Sequence, residues 1–412
     1  MPQQKTKIPE GWKELPLHDI FTVINGLWTG KTSDLVECKV LRNTNFLNNG
    51  KLNFADVALI NVDRKSLLSR ELVYGDIIIE RSGGSDTQPV GRVINFKLRD
   101  KGYSFSNFTS CLRIIDQKSF DFKYIFLVLY NLWLTGVTEK MQKRTTGIRN
   151  LDFDAYLNFK VPMPGHSEQN KIAEILGAVD EEIEKAEKII DETERLKSGL
   201  MQELFAKGIG HTKFKKIKIG NLPTSWELVK MKDICSVRQG LQIPISERYA
   251  EPAVKRYRYI TIKNIKNNTY EYIESPKSSV ICSKEDVLMT RTGNTGFVVS
   301  NVEGVFHNNF FLVDYDKTKI SKDYLIYYFS LESIQKILLE KAGTTTIPDL
   351  NHGDFYAIHF ILPPFTEQKE IAEILSAVDG KILIYKKIKD NHTQLKKGLM
   401  GDLLSGDVRV SC

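Results

Sequence analysis

Residues 164–183 (PGHSEQNKIAEILGAVDEEI) return as residues 363–382 (PPFTEQKEIAEILSAVDGKI), with twelve identities at a constant offset of 199. Lys197, Gly199, Leu200, Met201 and Leu204 match Lys396, Gly398, Leu399, Met400 and Leu403 at the same offset, so about forty residues are duplicated without an insertion. Such a chain has to fold as two related units on a common frame. Upstream of each copy the match survives only in patches: Trp12 pairs with Trp226 at offset 214, Arg81 with Arg291 at 210, and Asn107 with Asn308 at 201. A rigid frame carrying drifted units is the pattern of two different recognition heads.

The duplicated stretch reads as a helix. Ser167 and Thr366 stand in N-cap position after prolines, and Glu168 and Glu367 bring negative charge to the first turn. Apolar residues recur at alternating three and four: Ile172, Leu176, Val179, Ile183, Ala186, Ile190, Thr193, Leu196, Leu200 and Leu204, with Ile371 to Leu403 repeating them. That is a coiled-coil seam. A helix of this length spans roughly 60 Å and is too long to stand alone, so the two are expected to pack on each other. Antiparallel packing would carry the heads to opposite ends of a rod.

Each head opens with Pro-x-x-Trp, at Pro9 and Trp12 and at Pro223 and Trp226. Val/Ile-rich stretches at 76–81, 111–115, 287–291 and 310–313 read as strands, and aromatic-aliphatic stretches at 122–142 and 323–341 as helices. The expected fold class is α+β: two β-rich globular domains joined by two long antiparallel coiled-coil helices in a pseudo-two-fold tandem repeat. The expected boundaries are 1–165 and 221–364 for the heads, 166–207 and 365–412 for the helices, and 208–220 for a basic, glycine-bounded connector.

The net charge of +7 is unevenly spread: residues 167–207 carry eleven acids against six bases, and 366–405 six against seven. The surplus therefore sits on the heads, which suits a polyanion such as DNA. Cys38, Cys111, Cys235, Cys282 and Cys412 are scattered, so the pattern implies neither a zinc site nor a disulfide frame and fits a reducing cytoplasm. The most apolar run, 124–137, is too short to span a bilayer.

Two catalytic look-alikes fail on chemistry. Leu362-Pro363-Pro364-Phe365 resembles the acidic or amide Pro-Pro-aromatic loop of amino-group methyltransferases, but leucine has no acceptor for the target amine. Pro348-Asp349 with Glu367-Gln368-Lys369 fits a loose PD…ExK nuclease pattern, yet the second part lies in a helix's first turn rather than on a strand.

The EQxxIAEILxAVDxxI box, present twice, its preceding proline, the KxGLMxxLF end and the GxxHTKFK…IGNLPxxW connector resemble, across the whole chain, the specificity subunit of type I restriction-modification systems. The resemblance implies a non-catalytic subunit with no cofactor and no metal. It implies two target recognition domains, each reading one half of a split site in double-stranded DNA. Conserved helices would dock two DNA methyltransferase (modification) subunits and the restriction/translocase subunits, with no membrane partner. The rival readings are a single-chain methyltransferase or nuclease, and a structural coiled-coil adaptor.

Within the heads, the expected DNA contacts fall first on a strand-to-loop turn: Arg81, Ser82 and Gln88, matched by Arg291, Thr292 and Asn294. An arginine at a strand end followed by glycine lets backbone approach phosphate while the guanidinium reaches phosphate or a guanine edge. The second group is the loop expected after the aromatic helix, Lys143, Arg144, Thr145, Thr146, Arg149 and Asn150, matched by Lys341, Thr344, Thr345 and Thr346, where bases, hydroxyls and amides suit phosphate and base edges. Arg238, Gln242 and Arg256 complete the set. Trp12 and Trp226 are expected as core anchors.

Overall fold

Isoleucines 77, 78 and 79 lie on one strand and are all fully buried, so that strand is covered on both faces. The computed structural model describes residues 8–27, 34–85, 87–145, 148–217, 220–274, 276–343 and 348–411, except the side chains of residues 144 and 145. The chain divides into two compact units, Met1–Ala186 with Lys387–Cys412, and Glu187–Lys386. Each unit is a β-rich head together with segments of both long helices, His166–Lys207 and Phe365–Ser405.

In the first unit the central antiparallel sheet runs Phe21–Asn25, Thr109–Ile114, Ile77–Glu80, Val93–Asn95. One face, with Ile77 and Ile79, packs on the helix Phe122–Leu134, on Ile172, Ala173 and Leu176 of the first long helix, and on Met400, Leu403 and Leu404 of the second. The other face, with Ile78 and Ile94, meets Leu41 and Phe105 of a second sheet, Ala58–Asp63, Leu35–Leu41, Tyr103–Phe105. The second unit repeats the plan. Its sheet runs Cys235–Gln239, Phe310–Tyr315, Val287–Thr290, Val298–Val299, with Val287 and Met289 facing a core that includes Leu204, Phe205, Ile371 and Leu375, and Leu288 facing the other way.

The long helices pack antiparallel. In the second unit Lys197 Nζ lies 2.6 Å from Asp379 and Lys386 Nζ 2.8 Å from Glu194, so one helix ascends as the other descends. In the first unit Lys396 lies 2.6 Å from Asp180, a pair that the 199-residue offset maps onto Lys197–Asp379. These pairs are partly solvated and set register more than stability.

Several local expectations change. The helices begin at His166 and Phe365, so Ser167 and Thr366 lie inside the first turn; the N–H groups of Gln169 and Gln368 bond the carbonyls of Gly165 and Pro364 instead. Leu196 and Leu395 stand 55% and 50% exposed, so this pair leaves the seam. The helix expected over 122–142 ends at Leu134, because Gly136 turns left-handed at φ +74, and a short 3-10 turn leads into a strand at Gln142. The helix expected over 323–341 breaks at Leu331, whose extended backbone separates Lys322–Ser330 from Glu332–Ala342 and whose side chain is buried. The connector contains a hairpin strand, Phe214–Ile217 against Gly220–Pro223.

Candidate nucleic-acid interface

The boxes close each head by hydrogen bonds that a sequence read locally does not reveal. Trp12 Nε1 donates to Glu168 at 3.0 Å and Trp226 Nε1 to Glu367 at 2.8 Å, both pairs buried. Gln169 accepts from Asp121 N and donates to the carbonyls of Ser119 and Pro164; Gln368 does the same with Ser321, Lys319 and Pro363. The invariant Glu-Gln of the repeat thus locks strand, aromatic helix and long helix together in either unit. Both tryptophans are buried anchors, as expected. In the sequence both partners recur, the tryptophans at offset 214 and the glutamates at 199, without a local pattern that joins them.

From this base the buried strand of either sheet runs to the same turn. Arg81 N donates to Phe108 O at 2.9 Å and its carbonyl accepts from Leu151 N at 2.8 Å; Arg291 N donates to Asn309 O at 2.7 Å and its carbonyl accepts from Leu350 N at 2.9 Å. In the first unit Ser82–Gly84 then joins a hairpin, Gln142–Thr145 with Ile148–Leu151, as a third strand. Residues 143–145 and 148–150, expected within a loop, are therefore strand. Two stretches of expected contacts, separated by some sixty residues of chain, form one surface, pinned where Ser82 Oγ donates to Asn150 Oδ1 at 2.5 Å.

The side chains of that surface are partly engaged. Arg81 donates to Asn25 at 3.0 Å and Ser110 at 3.3 Å and lies 4.1 Å over the Phe153 ring; burial lowers its pKa, though a guanidinium stays charged. Gln88 donates to Asn48 at 3.3 Å, Arg149 to Gln142 at 3.4 Å, and Lys143 pairs with Asp152 at 2.6 Å while 66% exposed. Beneath the turn, Glu80 and Arg92 make a buried bidentate ion pair at 2.8 and 3.0 Å. Arg144 and Thr145 lie on the hairpin strand, and Thr146 is outside the described residues.

In the second unit Asp349 clamps the turn. It accepts from Arg291 Nη2 and Thr292 Oγ1, each at 2.8 Å, so the Arg291 guanidinium, expected to reach out to DNA, is occupied inside the head and only 16% exposed. Asn294 is exposed, and its carbonyl accepts from the buried Thr290 hydroxyl. Lys341 sits in the last turn of Glu332–Ala342; Thr344, Thr345 and Thr346 lie outside the described residues. Gln242 accepts from Asn308 at 3.3 Å, next to the Asn309 carbonyl that holds Arg291. Arg238 donates to Ser279 O at 3.2 Å. Arg256 stacks 3.6 Å over Tyr249 and pairs with Glu274 at 3.0 Å, contacts that tie it to an outer strand rather than to the turn.

Both catalytic look-alikes have structural partners. Asp349 serves the arginine turn, whereas Glu367 accepts from Trp226, from Ile209 N at 3.0 Å and lies 2.8 Å from His211. Pro363 O receives the Gln368 amide after the strand His359–Leu362. Burial pushes the Cys38 thiol up to about 11 and those of Cys235 and Cys282 to about 12, poor material for thiolate chemistry. Among the described residues no cluster of His, Cys, Asp and Glu suits a metal ion, and no helix is long and apolar enough to cross a membrane.

Known proteins give the same organisation. The type I restriction-modification DNA specificity domain matches twice, over residues 9–195 and 223–392. The chain is 26% identical to the type I restriction enzyme MjaVIII specificity subunit of Methanocaldococcus jannaschii, over 98% of this chain and 94% of that one. It is 22% identical to the EcoKI specificity subunit of Escherichia coli K12, over 89% and 81%. The crystal structure of a type I restriction-modification S subunit from M. genitalium shares the fold, with TM-score 0.59 at 15% identity over 98% of both chains. The chain therefore belongs to the type I restriction-modification specificity family, as a DNA-recognition subunit with two recognition domains and not as the catalytic component.

Proposed function

We propose that each unit reads a different half of a split site in double-stranded DNA, and that the long helices hold modification and restriction subunits that perform the chemistry in the cytoplasm. One observation carries the reading. Both units end the same buried strand in the same backbone-fixed arginine turn, but surround it with different side chains: a hairpin with Ser82 and Asn150 in one, the Asp349 clamp with Thr292 in the other. A common mount with divergent polar decoration suits two sequence readers. Within the proposed contact set, Ser82, Gln88, Lys143, Arg149, Asn150, Thr292 and Asn294 lie on or beside the two turns, while Arg81 and Arg291 shape them from within. Scaffolding is supported by a related solved chain, 15% identical with TM-score 0.59, described in work on complex assembly of the type I system.

The test is to express the chain with modification subunits and map methylated positions in host DNA. Exchanging residues 1–163 for the matching head of a related subunit should alter one half of the site and leave the other. Altered bases in both halves would refute separate reading. The purified chain alone should transfer no methyl groups.

A further inference from the structure

A further short repeat, at an offset of its own, lies under the reading turns. Asn45, Asn48 and Asn49 recur as Asn264, Asn267 and Asn268 at offset 219, in segments otherwise unlike each other. Asn45 and Asn264 are 1% and 3% exposed and do the same work: their carbonyls accept from Asn53 N at 2.8 Å and Thr269 N at 3.0 Å, and their side chains tie down neighbouring backbone. A buried asparagine thus pins the corresponding point of two differently wound segments, the 3-10 turn Asn43–Asn45 and the short helix Ile262–Asn267.

The residue two before that asparagine touches the reading turn in the first unit and stands beside it in the second. A Cβ on Gly83 would stand 2.9 Å from Asn43 Nδ2, and one on Gly293 would stand 3.9 Å from Ile262 Cδ1. Asn43 also donates to Glu80 at 2.9 Å and to the Ser82 carbonyl at 2.5 Å, holding the turn from below. The next residue, Thr44 in one unit and Lys263 in the other, is exposed beside it. In the first unit Thr44, Asn43 and Gly83 rim a cleft of about 570 Å³ floored by Val40, Ile60 and Val62. One position of one scaffold thus presents a hydroxyl and methyl in one head and an ammonium in the other.

We infer that Thr44 and Lys263 are specificity-determining residues, each setting the base preferred at one position of its own half-site. The inference rests on the reading of two half-sites given above. A threonine offers a methyl to thymine and a hydroxyl to either edge, whereas a lysine donates to the O6 and N7 of guanine. Asn43 acts as a positioning residue for the adjoining turn of the first unit.

The experiment uses the chain assembled with its modification subunits and a pool of duplexes in which the bases of one half-site at a time are randomised. Thr44→Lys should move the preference at one position of one half-site toward guanine, and Lys263→Thr should lose a guanine preference at one position of the other. Either change should be roughly ten-fold in relative enrichment, with remaining positions as in the parent. Melting temperatures identify a variant that has not folded, and the reciprocal variant then decides. An unaltered enriched sequence in folded complexes, or loss of all preference without a new one, overturns the inference. A parent complex that enriches no split site overturns the two-half-site reading itself.

Discussion

Glu168 shows how a residue can satisfy a sequence rule and yet work for a different reason. Its place in the first turn of a helix suits a negative charge, but the carboxylate is buried, accepting from Trp12 and gripping Arg409 at 2.7 and 2.9 Å. Burial pushes its pKa up, but the hydrogen bonds from Arg409 and Trp12 and the Arg409 charge outweigh it and leave the pKa below the ordinary value. A carboxyl whose pKa falls on folding stabilises when ionised: the contribution is complete at neutral pH and is lost as pH falls below about 4.3 through the folded value. Glu168→Gln should therefore lower the melting temperature at pH 7, by about 1–2 kcal/mol of stability since Arg409 is 44% exposed. The gap to the parent should narrow as pH falls through 4; a gap constant from pH 7 to pH 3 would contradict the assignment. The two arginines differ in the same spirit. Arg81→Ala removes a cation held by neutral partners and should weaken DNA binding modestly, with a shallower salt dependence. Arg291→Ala strands the Asp349 carboxylate beside the proposed DNA surface, so the loss should be larger, and Asp349→Asn in the same chain should recover part of it. Titrations at several salt concentrations read both, and equal losses with no recovery would reject the clamp.

Among elements, the reading turn of the first unit depends on a pairing that spans distant sequence. Gly83 has φ +104, a backbone that side chains rarely adopt, and its missing Cβ leaves room for the Asn43 amide. Gly83→Ala should strain the strand Ser82–Gly84 off its hairpin and weaken binding at the first half-site, leaving the second half-site's base preferences intact; enrichment from a randomised pool would show either outcome. Periodic features were legible in the sequence because they depend on neighbours: the seam of the long helices, the buried strand at Ile77–Ile79, and its counterpart at Val287–Met289. Features set by distant partners were not. The apolar run continues past Gly136 to Val137 and hides the helix stop, and nothing local to Arg149 and Asn150 reveals that their strand partner is Ser82–Gly84. Arg291 reads as a strand-end residue and follows the strand Val287–Thr290, but its acid lies 58 residues further on and no local pattern pairs them.

For the whole molecule, the duplicated frame makes the long helices a ruler under the proposed reading. Each helix starts in one compact unit and ends in the other, 42 and 41 residues long without a break. Their contacts conserve register: Lys197 with Asp379 and Lys386 with Glu194 fix the pairing in the second unit, Lys396 with Asp180 in the first. One heptad added after Ile190 and another after Lys389 keeps the heptad pattern of each helix in phase and lengthens both by roughly 10 Å. At about 3.4 Å per base pair this equals some three base pairs of spacer, less whatever DNA bending absorbs. Three base pairs also rotate one half-site by about a hundred degrees relative to the other, at 10 to 10.5 base pairs per turn. The heptad variant should therefore methylate sites with a longer spacer and bind them more weakly, while the bases of each half-site stay as they were. Methylated sites mapped in a host expressing the variant complex give spacer and bases together. An unchanged spacer in a folded, active complex would show that the helices do not set the distance.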